Sequence, residues 1–481
     1  MFIVLTHFSV KQKYRPSKVG DFYMAKQKTD QLYARRANEQ TLDVLLVAFI
    51  HRSTAGTIAD HIHAVKTLST HNVWTVRRIH PLGGILPTRL DLSRFDALIL
   101  HYSLYLLDDV YLSKAAKERV AAFPGVKVLF VQDEYRQVNA MKDIIRKLGI
   151  DLLFTCVPEP EIEKVYPAKE LPGLTKINTL TGYVPESLLA RATRPLRERP
   201  IDVGYRARKL PYWLGRLGVE KWRLASEFLQ AVKGRELVCD ISAEERDRVY
   251  GDAWIEFLSS CKAVLGTESG ASVFDFSGDI QRTVDAFVAT HPNAPFEEVQ
   301  ERFFTHKEGN IRHNQISPRC FEAAALRTAM ILLEGEYSGI LQPWRHYVPL
   351  KKDYSNLDEV VAVVRDPGRL QSIADTAYRE VALNERYSYR AFVSQLDAAI
   401  QRVHESMCAK KQSVYHSAHK PVAAAQRARY TPWTFRIAAR PTAVQVIFGV
   451  LSTLWGILPP RAQNRLRAIA KPIRSALERL A

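Results

Sequence analysis

Cysteine is scarce in this chain of 481 residues. The five present (Cys156, Cys239, Cys261, Cys320, Cys408) include no Cys-x-x-Cys spacing, which argues against a disulfide framework or a zinc knuckle and fits a reducing cytoplasm. His291, His306, His313 and His346 match no metal-ligand spacing, and neither an Asp-x-Asp strand end nor a Walker Gly-Lys-Ser/Thr is present, so no metal is assigned. Residues 1–7 lack the charged start and long apolar core of a secretory signal. Residues 443–458 carry no charge over 16 positions. As a helix they would span about 24 Å, short of a ~30 Å hydrocarbon core, so a crossing is not expected. Acidic charge is in deficit: the formal net charge is +17, and 13 Lys and Arg against two Glu place 11 of those excess charges in residues 405–481.

The chain does have the makings of a large core. With 47% hydrophobic and 25% charged residues, it is a globular protein too long for one ordinary core, so two domains are expected. Residues 1–40 are a polar, basic extension without a clear period. Alternation then begins, with buried strands over 42–50, 73–79, 97–101, 126–132 and 150–155, and helices over about 57–70, 110–122 and 137–148. A Pro-rich charged passage over 185–200 reads as a linker. The pattern restarts with strands over 201–205, 236–241, 263–266 and 347–350 and helices over 213–233 and 244–260; a long helical stretch covers 374–405. The fold class is α/β, with parallel doubly wound sheets in two Rossmann-like domains over 41–190 and 198–373.

Open α/β sheets bind ligands beyond the carboxyl ends of their strands, which selects a few loops. Arg206, Arg208 and Lys209 follow the 201–205 strand, and such cations at a strand-to-helix turn neutralise a pyrophosphate, unless the turn is a solvated basic loop. Lys221, inside the following helix, is a weaker candidate. Glu268, Ser269 and Gly270 lie in a small-residue turn that either admits a nucleotide or sugar against its backbone or is a plain turn. His313 and Asn314 precede a run in which Pro318 opens a helix and Glu322, with Arg319 near it, is positioned to accept two hydrogen bonds from a ribose diol. In the first half His51, His101 and Asp133 each follow a strand; Asp133 is the preferred acceptor-side acid and His51 the next, each against the alternative of a satisfied polar residue or helix cap.

The stretch Ser317-Pro-Arg-Cys-Phe-Glu322-Ala-Ala-Ala, followed by the strand-like run 329–333, resembles the donor-binding motif of GT-B glycosyltransferases of the "group 1" type, in the family 4-like or spore-maturation-type branch. The resemblance extends over residues 43–400. It implies two lobes facing across a cleft, a nucleotide-sugar donor on the second lobe with Glu322 at the ribose, and a C-terminal crossover helix bracing the first lobe. It also implies a glycan or lipid-linked acceptor in cell-surface polysaccharide or glycoconjugate synthesis, metal-independent transfer and no bound cofactor. Two positions depart from the pattern. Asn314 stands where retaining members carry a second Glu, and Arg327 stands where Gly is usual. Retention of configuration is thus less well implied than ribose binding. A GT-B sugar-nucleotide epimerase and a non-catalytic nucleotide- or glycan-binding adaptor are the alternatives. Beyond a basic linker over 406–440, residues 441–481 set Arg461, Arg465, Arg467, Lys471 and Arg474 among apolar residues at helical spacing. That suits a helix on an anionic membrane surface or one packed on another subunit or domain. The membrane reading puts the protein peripherally at the cytoplasmic face of the plasma membrane, with nucleic acid ranked below it.

Overall fold

The computed structural model describes residues 41–50, 56–77, 86–88 and 90–416, with side chains placed through residue 409. The expectations for residues 1–40, for His51 and for the tail beyond residue 416 lie outside the described residues.

Two parallel sheets carry the chain. The first contains β1 (Asp43–Val47), β2 (Asn72–Val76), β3 (Ala97–Leu100), β4 (Val126–Val131), β5 (Leu152–Thr155) and β6 (Thr175–Asn178), in the order β2-β1-β3-β4-β5-β6. Four of these strands, β1, β3, β4 and β5, are almost wholly buried, which is why they read as continuous apolar runs rather than alternating ones. Helices α1 (Gly56–Leu68), α2 (Lys114–Ala121) and α3 (Val138–Leu148) connect them. The sixth strand, Thr-Lys-Ile-Asn, has no apolar run to mark it. It pairs with β5 at the sheet edge.

The second sheet is ordered β11-β10-β9-β7-β8, from β7 (Ile201–Arg206), β8 (Cys239–Ser242), β9 (Cys261–Gly266), β10 (Ala329–Leu333) and β11 (Val348–Leu350). Around it lie α4 (Arg216–Ala231), α5 (Asp252–Ser260), α6 (Asp279–Thr290), α7 (Phe296–Phe303), α8 (Pro318–Ala325), α9 (Leu357–Arg365) and α10 (Pro367–Ala377). The α/β architecture of two Rossmann-like lobes is therefore present, and each sheet reverses its strand order once, between β1 and β3 and between β7 and β9.

Two expected segments differ. The passage over 185–200 is not a free linker. Arg199, 2% exposed, donates to the carbonyls of Cys261 (3.0 Å) and Leu326 (2.9 Å) and to Thr328 Oγ1 (2.6 Å), which ties it to the second lobe. The helix expected over 374–405 is broken: α10 ends in a π-turn over Tyr378–Ala382 and a 3-10 turn over Glu385–Tyr387, after which α11 (Tyr389–His416) begins. Asn384 makes the break by accepting from the Arg386 N–H at 3.0 Å.

That second helix does cross back to the first lobe. Asp397 accepts from Ser69 Oγ, Thr70 N and Thr70 Oγ1 at 2.7–2.9 Å. Phe392 packs against His61 and stacks on Tyr183. The lobes are joined elsewhere as well. Asp275 N donates to Tyr135 O at 2.7 Å, Thr181 Oγ1 to Ile316 O at 2.6 Å, and Phe274 packs into the core of the first lobe. These contacts tie the two lobes together beside the cleft.

Candidate functional site

A cavity of about 530 Å³ lies where the strand ends of the two sheets meet. The first lobe contributes Gln132, Asp133, Tyr135 and Arg136, which follow β4; the second contributes the turns after β7 and β9 and the start of α8. Pro318 occupies the first turn of α8, where its missing N–H costs nothing, so the positive end of that helix borders the cavity at Ser317–Cys320.

Cations dominate the wall. Arg208 and Arg319 are exposed to it and Lys221 reaches it from α4; none of the three has a carboxylate partner among the described residues. Arg319 donates to the Arg206 carbonyl and lies 5.0 Å from the ring centroid of Trp254. Burial, followed by the nearby Arg319, brings the Lys221 ammonium down to about 8. A diphosphate would relieve that cost by supplying the missing countercharge.

His313 is 2% exposed and lines the same cavity, and neither ring nitrogen has a hydrogen-bond partner among the described residues. Burial lowers it to about 3, so at neutral pH its imidazole is uncharged, offering one donor and one acceptor. The rings of Phe274 and Tyr135 meet it edge-on at 5.2 and 6.0 Å. Opposite it, Gly270 has φ +107°, and a Cβ there would fall 1.8 Å from the His313 carbonyl oxygen. Only glycine lets the turn after β9 meet the loop that leads into α8. Ser269 pairs with Gln315 through N–H···O bonds in both directions at 2.7 and 2.9 Å.

Asp133 lines the cavity, is exposed, and accepts from the Tyr135 hydroxyl at 3.1 Å. Its neighbour Glu134 is buried and accepts from Thr155, the N–H groups of Cys156 and Val157, and the Tyr166 hydroxyl, so it serves the fold.

Asp133, Arg208, Ser269, Gly270, His313 and Arg319 are thus brought together, while other expected residues stand apart. Arg206 is the last residue of β7 and turns to the other side of it. It pairs with Asp240 at 2.7 Å and lies 4.3 Å from the Phe257 centroid, away from the cavity lining, so the diphosphate position expected for it is corrected. His101 is fully buried, bonded to Ser103 Oγ (2.9 Å) and His61 Nδ1 (3.0 Å), and driven far below the usual imidazole range by burial. It has no route to a substrate proton, and the expectation of a catalytic base there is corrected. Glu268 is 7% exposed and accepts from the N–H groups of Glu336 and Tyr337 and from Asn314 Nδ2, which pins the loop after β10 instead of facing the cavity. Asn314 borders a second cavity of about 720 Å³, on the other side of Gln315.

Glu322 lies on the buried face of α8, accepts from Trp254 Nε1 at 2.8 Å and is not part of the cavity wall. Burial raises its carboxyl pKa above the usual range, with Trp254 and Arg319 opposing the shift. Lys221 is the residue that sequence reasoning undervalued. On α4 the buried residues Leu217, Gly218, Leu224, Ala225 and Phe228 form a stripe at helical spacing, and a lysine in the middle of that stripe was the available signal.

Among the described residues no three His, Cys, Asp or Glu side chains come together as a metal-holding group, and no helix is long and apolar enough to cross a membrane.

No family model and no curated protein matches the chain. Solved structures do resemble it. An α-glucosyltransferase in complex with UDP-glucose and DNA containing an abasic site aligns at TM-score 0.45 and 11% identity, over 76% of this chain and 100% of that one. HepE of Anabaena in complex with UDP-glucose aligns at TM-score 0.41 and 11% identity, over 76% of this chain and 100% of its own. TarM aligns at TM-score 0.38 and 12% identity, over 63% of this chain and 54% of its own. The two glucosyl-donor complexes contain a nucleotide sugar, and one also contains DNA; the expectation against nucleic acid gains nothing from them.

Proposed function

We propose that this protein is a metal-independent glycosyltransferase of the group 1 kind, moving a sugar from a nucleoside-diphosphate donor on the second lobe to a glycan or lipid-linked acceptor on the first. One observation carries the reading: Arg208, Lys221 and Arg319 converge, without carboxylate partners among the described residues, on the positive end of α8 inside a cleft between two parallel sheets. Cations and a helix terminus fixed in advance stabilise the charge that develops on a departing diphosphate, with no reorganisation during the reaction. Donor and acceptor filling the cleft together would displace the water that would otherwise hydrolyse the donor.

Within that reading the neutral His313 and the Gly270 backbone border the transferred sugar and Asp133 is the acceptor-side acid or base, while Glu322, outside the cavity wall, holds Trp254 beneath the Arg319 guanidinium. The basic tail, residues 441–481, keeps the enzyme at an anionic cytoplasmic membrane face, where cell-surface polysaccharide or glycoconjugate would be built.

Calorimetric titration of the full chain with UDP, GDP and ADP, each with and without EDTA, tests the donor assignment. At least one nucleotide should bind with micromolar affinity, unchanged by EDTA and weakened by Arg208→Ala. If none of the three binds, the reading is wrong. Vesicle co-sedimentation with and without anionic lipid tests the tail, since the membrane assignment requires anion-dependent, salt-sensitive binding.

A further inference from the structure

We propose that a substrate handled in this cleft carries an anionic group in addition to the donor's diphosphate, and that Arg136 receives it. The inference rests on the glycosyltransferase reading above and adds the substrate class.

The charge count of the cavity points to it. Arg136, Arg208, Lys221 and Arg319 line the wall as four cations, with Asp133 as the one carboxylate among the lining residues. The net of three positive charges exceeds by one the two negative charges of a nucleoside diphosphate ester. His313 adds none, because burial keeps it neutral. Like charges crowded into a half-enclosed cleft repel one another, so a cation beyond the diphosphate's need is held at a cost that a second anion would offset.

Position singles out Arg136. The other three cations belong to the second lobe, whereas Arg136 follows β4 on the first. Its backbone bridges to Asp275, which fixes it at the lobe junction, and its guanidinium lies over the Tyr105 ring, 4.4 Å from the centroid. No hydrogen bond or ion pair of that guanidinium is found among the described residues.

Asp133, which shares the cavity with it, accepts from the Tyr135 hydroxyl and forms no ion pair with it, and the other acids around it are engaged elsewhere. Asp275, 1% exposed, accepts from the N–H groups of Gly278 and Gln281 at 2.8 Å each. Glu134 is fully engaged with the β5 end and Tyr166. Asp108 accepts from Val110 N at 2.9 Å. A planar guanidinium held on an aromatic face, on a partly exposed residue of the cavity wall, is suited to a carboxylate or phosphate, which it binds through two parallel hydrogen bonds. The anion has two possible sources, a carboxylate on the transferred sugar or a phosphate on the acceptor.

Isothermal titration of the full chain separates them. One arm compares UDP-glucuronate with UDP-glucose; the other titrates the UDP-saturated protein with farnesyl phosphate or farnesol in detergent micelles. In one arm the anionic member should bind at least about tenfold more tightly than its neutral congener, an increment typical of a charge-assisted pair. Arg136→Gln should abolish that preference, Arg136→Lys should keep part of it, and UDP affinity should be the same in all three proteins, which also reports that the cleft is folded. Parity in both arms, or a preference that survives Arg136→Gln, overturns the proposal. Loss of UDP affinity in Arg136→Gln would assign Arg136 to the diphosphate and likewise overturn it, leaving the glycosyltransferase reading intact. Failure of the unmodified protein to bind UDP, GDP or ADP is the separate result that removes the reading beneath it.

Discussion

Replacing Lys221 by methionine should make the empty protein more stable and the nucleotide bind less tightly. The two effects share one cause. Burial and Arg319 lower this ammonium from 10.5 to about 8. At ~1.4 kcal/mol per pH unit the shift corresponds to about 3 kcal/mol as an upper bound. The side chain is only partly buried and faces the cavity, so solvent screening leaves a cost of roughly 1–3 kcal/mol for keeping it charged at pH 7 in the empty cleft. The sign follows from linkage. Between about 8 and 10.5 the unfolded chain binds the proton that the folded chain has released, so the Lys221 contribution to stability rises with pH across that window and is least favourable below it. Methionine fills a similar volume without the charge. Lys221→Met should therefore gain roughly 1–3 kcal/mol at pH 7, seen as a melting-temperature rise at ~2–4 °C per kcal/mol, and lose that advantage towards pH 10.

The diphosphate reverses the balance. It supplies the countercharge, so UDP affinity in the unmodified protein should be highest below pH 8 and fall as pH rises past it, by up to about tenfold per pH unit. In Lys221→Met it should be roughly 10- to 100-fold weaker at pH 7, from the ~1.5–3 kcal/mol of a charged hydrogen bond, and nearly independent of pH. Scanning fluorimetry with and without UDP at pH 7 and 9.5 reads both quantities. A variant that melts lower than the parent without ligand, or that binds UDP as tightly, refutes the assignment of Lys221 as an unpaired phosphate cation.

Three further outcomes are expected. Gly270→Ala puts a methyl group 1.8 Å from the His313 carbonyl on a backbone of positive φ, so it should lower stability by more than about 3 kcal/mol and abolish nucleotide binding; a soluble variant with parental UDP affinity would show that the two turns can separate. Asp397→Ala strands three donors between α11 and the first lobe and should cost about 2–4 kcal/mol in denaturant unfolding, whereas a loss under ~0.5 kcal/mol would mean that the crossover helix does not brace that lobe. Glu322→Ala and Trp254→Phe should weaken UDP by about the same small factor, under ~3-fold, because the carboxylate lies outside the cavity wall and acts on it only through Trp254 and Arg319; a loss of about tenfold or more in Glu322→Ala alone would show that the carboxylate meets the ligand directly.

How far the site could be read from sequence turned on distance along the chain. The buried strands β1, β3, β4 and β5 announced themselves as apolar runs, and their order placed the loop bearing Asp133 at a sheet edge. Arg206 and Arg208 look equivalent as letters, but one still belongs to β7 and the other does not. The strand-end position commits Arg206 to Asp240 on the neighbouring strand, and Arg208 is left free to face the cleft. His101 looked like an edge residue because β3 ends there. What buries it is His61 of α1 together with the rings of Tyr102 and Phe130, and His61 is itself covered by Phe392, nearly 300 residues later, which no local pattern encodes. Glu268 was misplaced for the same reason, since its partners are the N–H groups of Glu336 and Tyr337.

Lys221 shows the opposite case. Its stripe of buried neighbours on α4 is entirely local, and a cation in the middle of an apolar face is either paired or waiting for a ligand. Asp133, lining the same cavity, offsets part of the cost of the Lys221 charge without forming an ion pair, and the rest falls on the empty protein and is recovered when an anion enters. A cleft that binds by relieving its own repulsion must be less stable empty than occupied, which is why the sign of the Lys221→Met stability change discriminates more sharply than the size of any affinity loss.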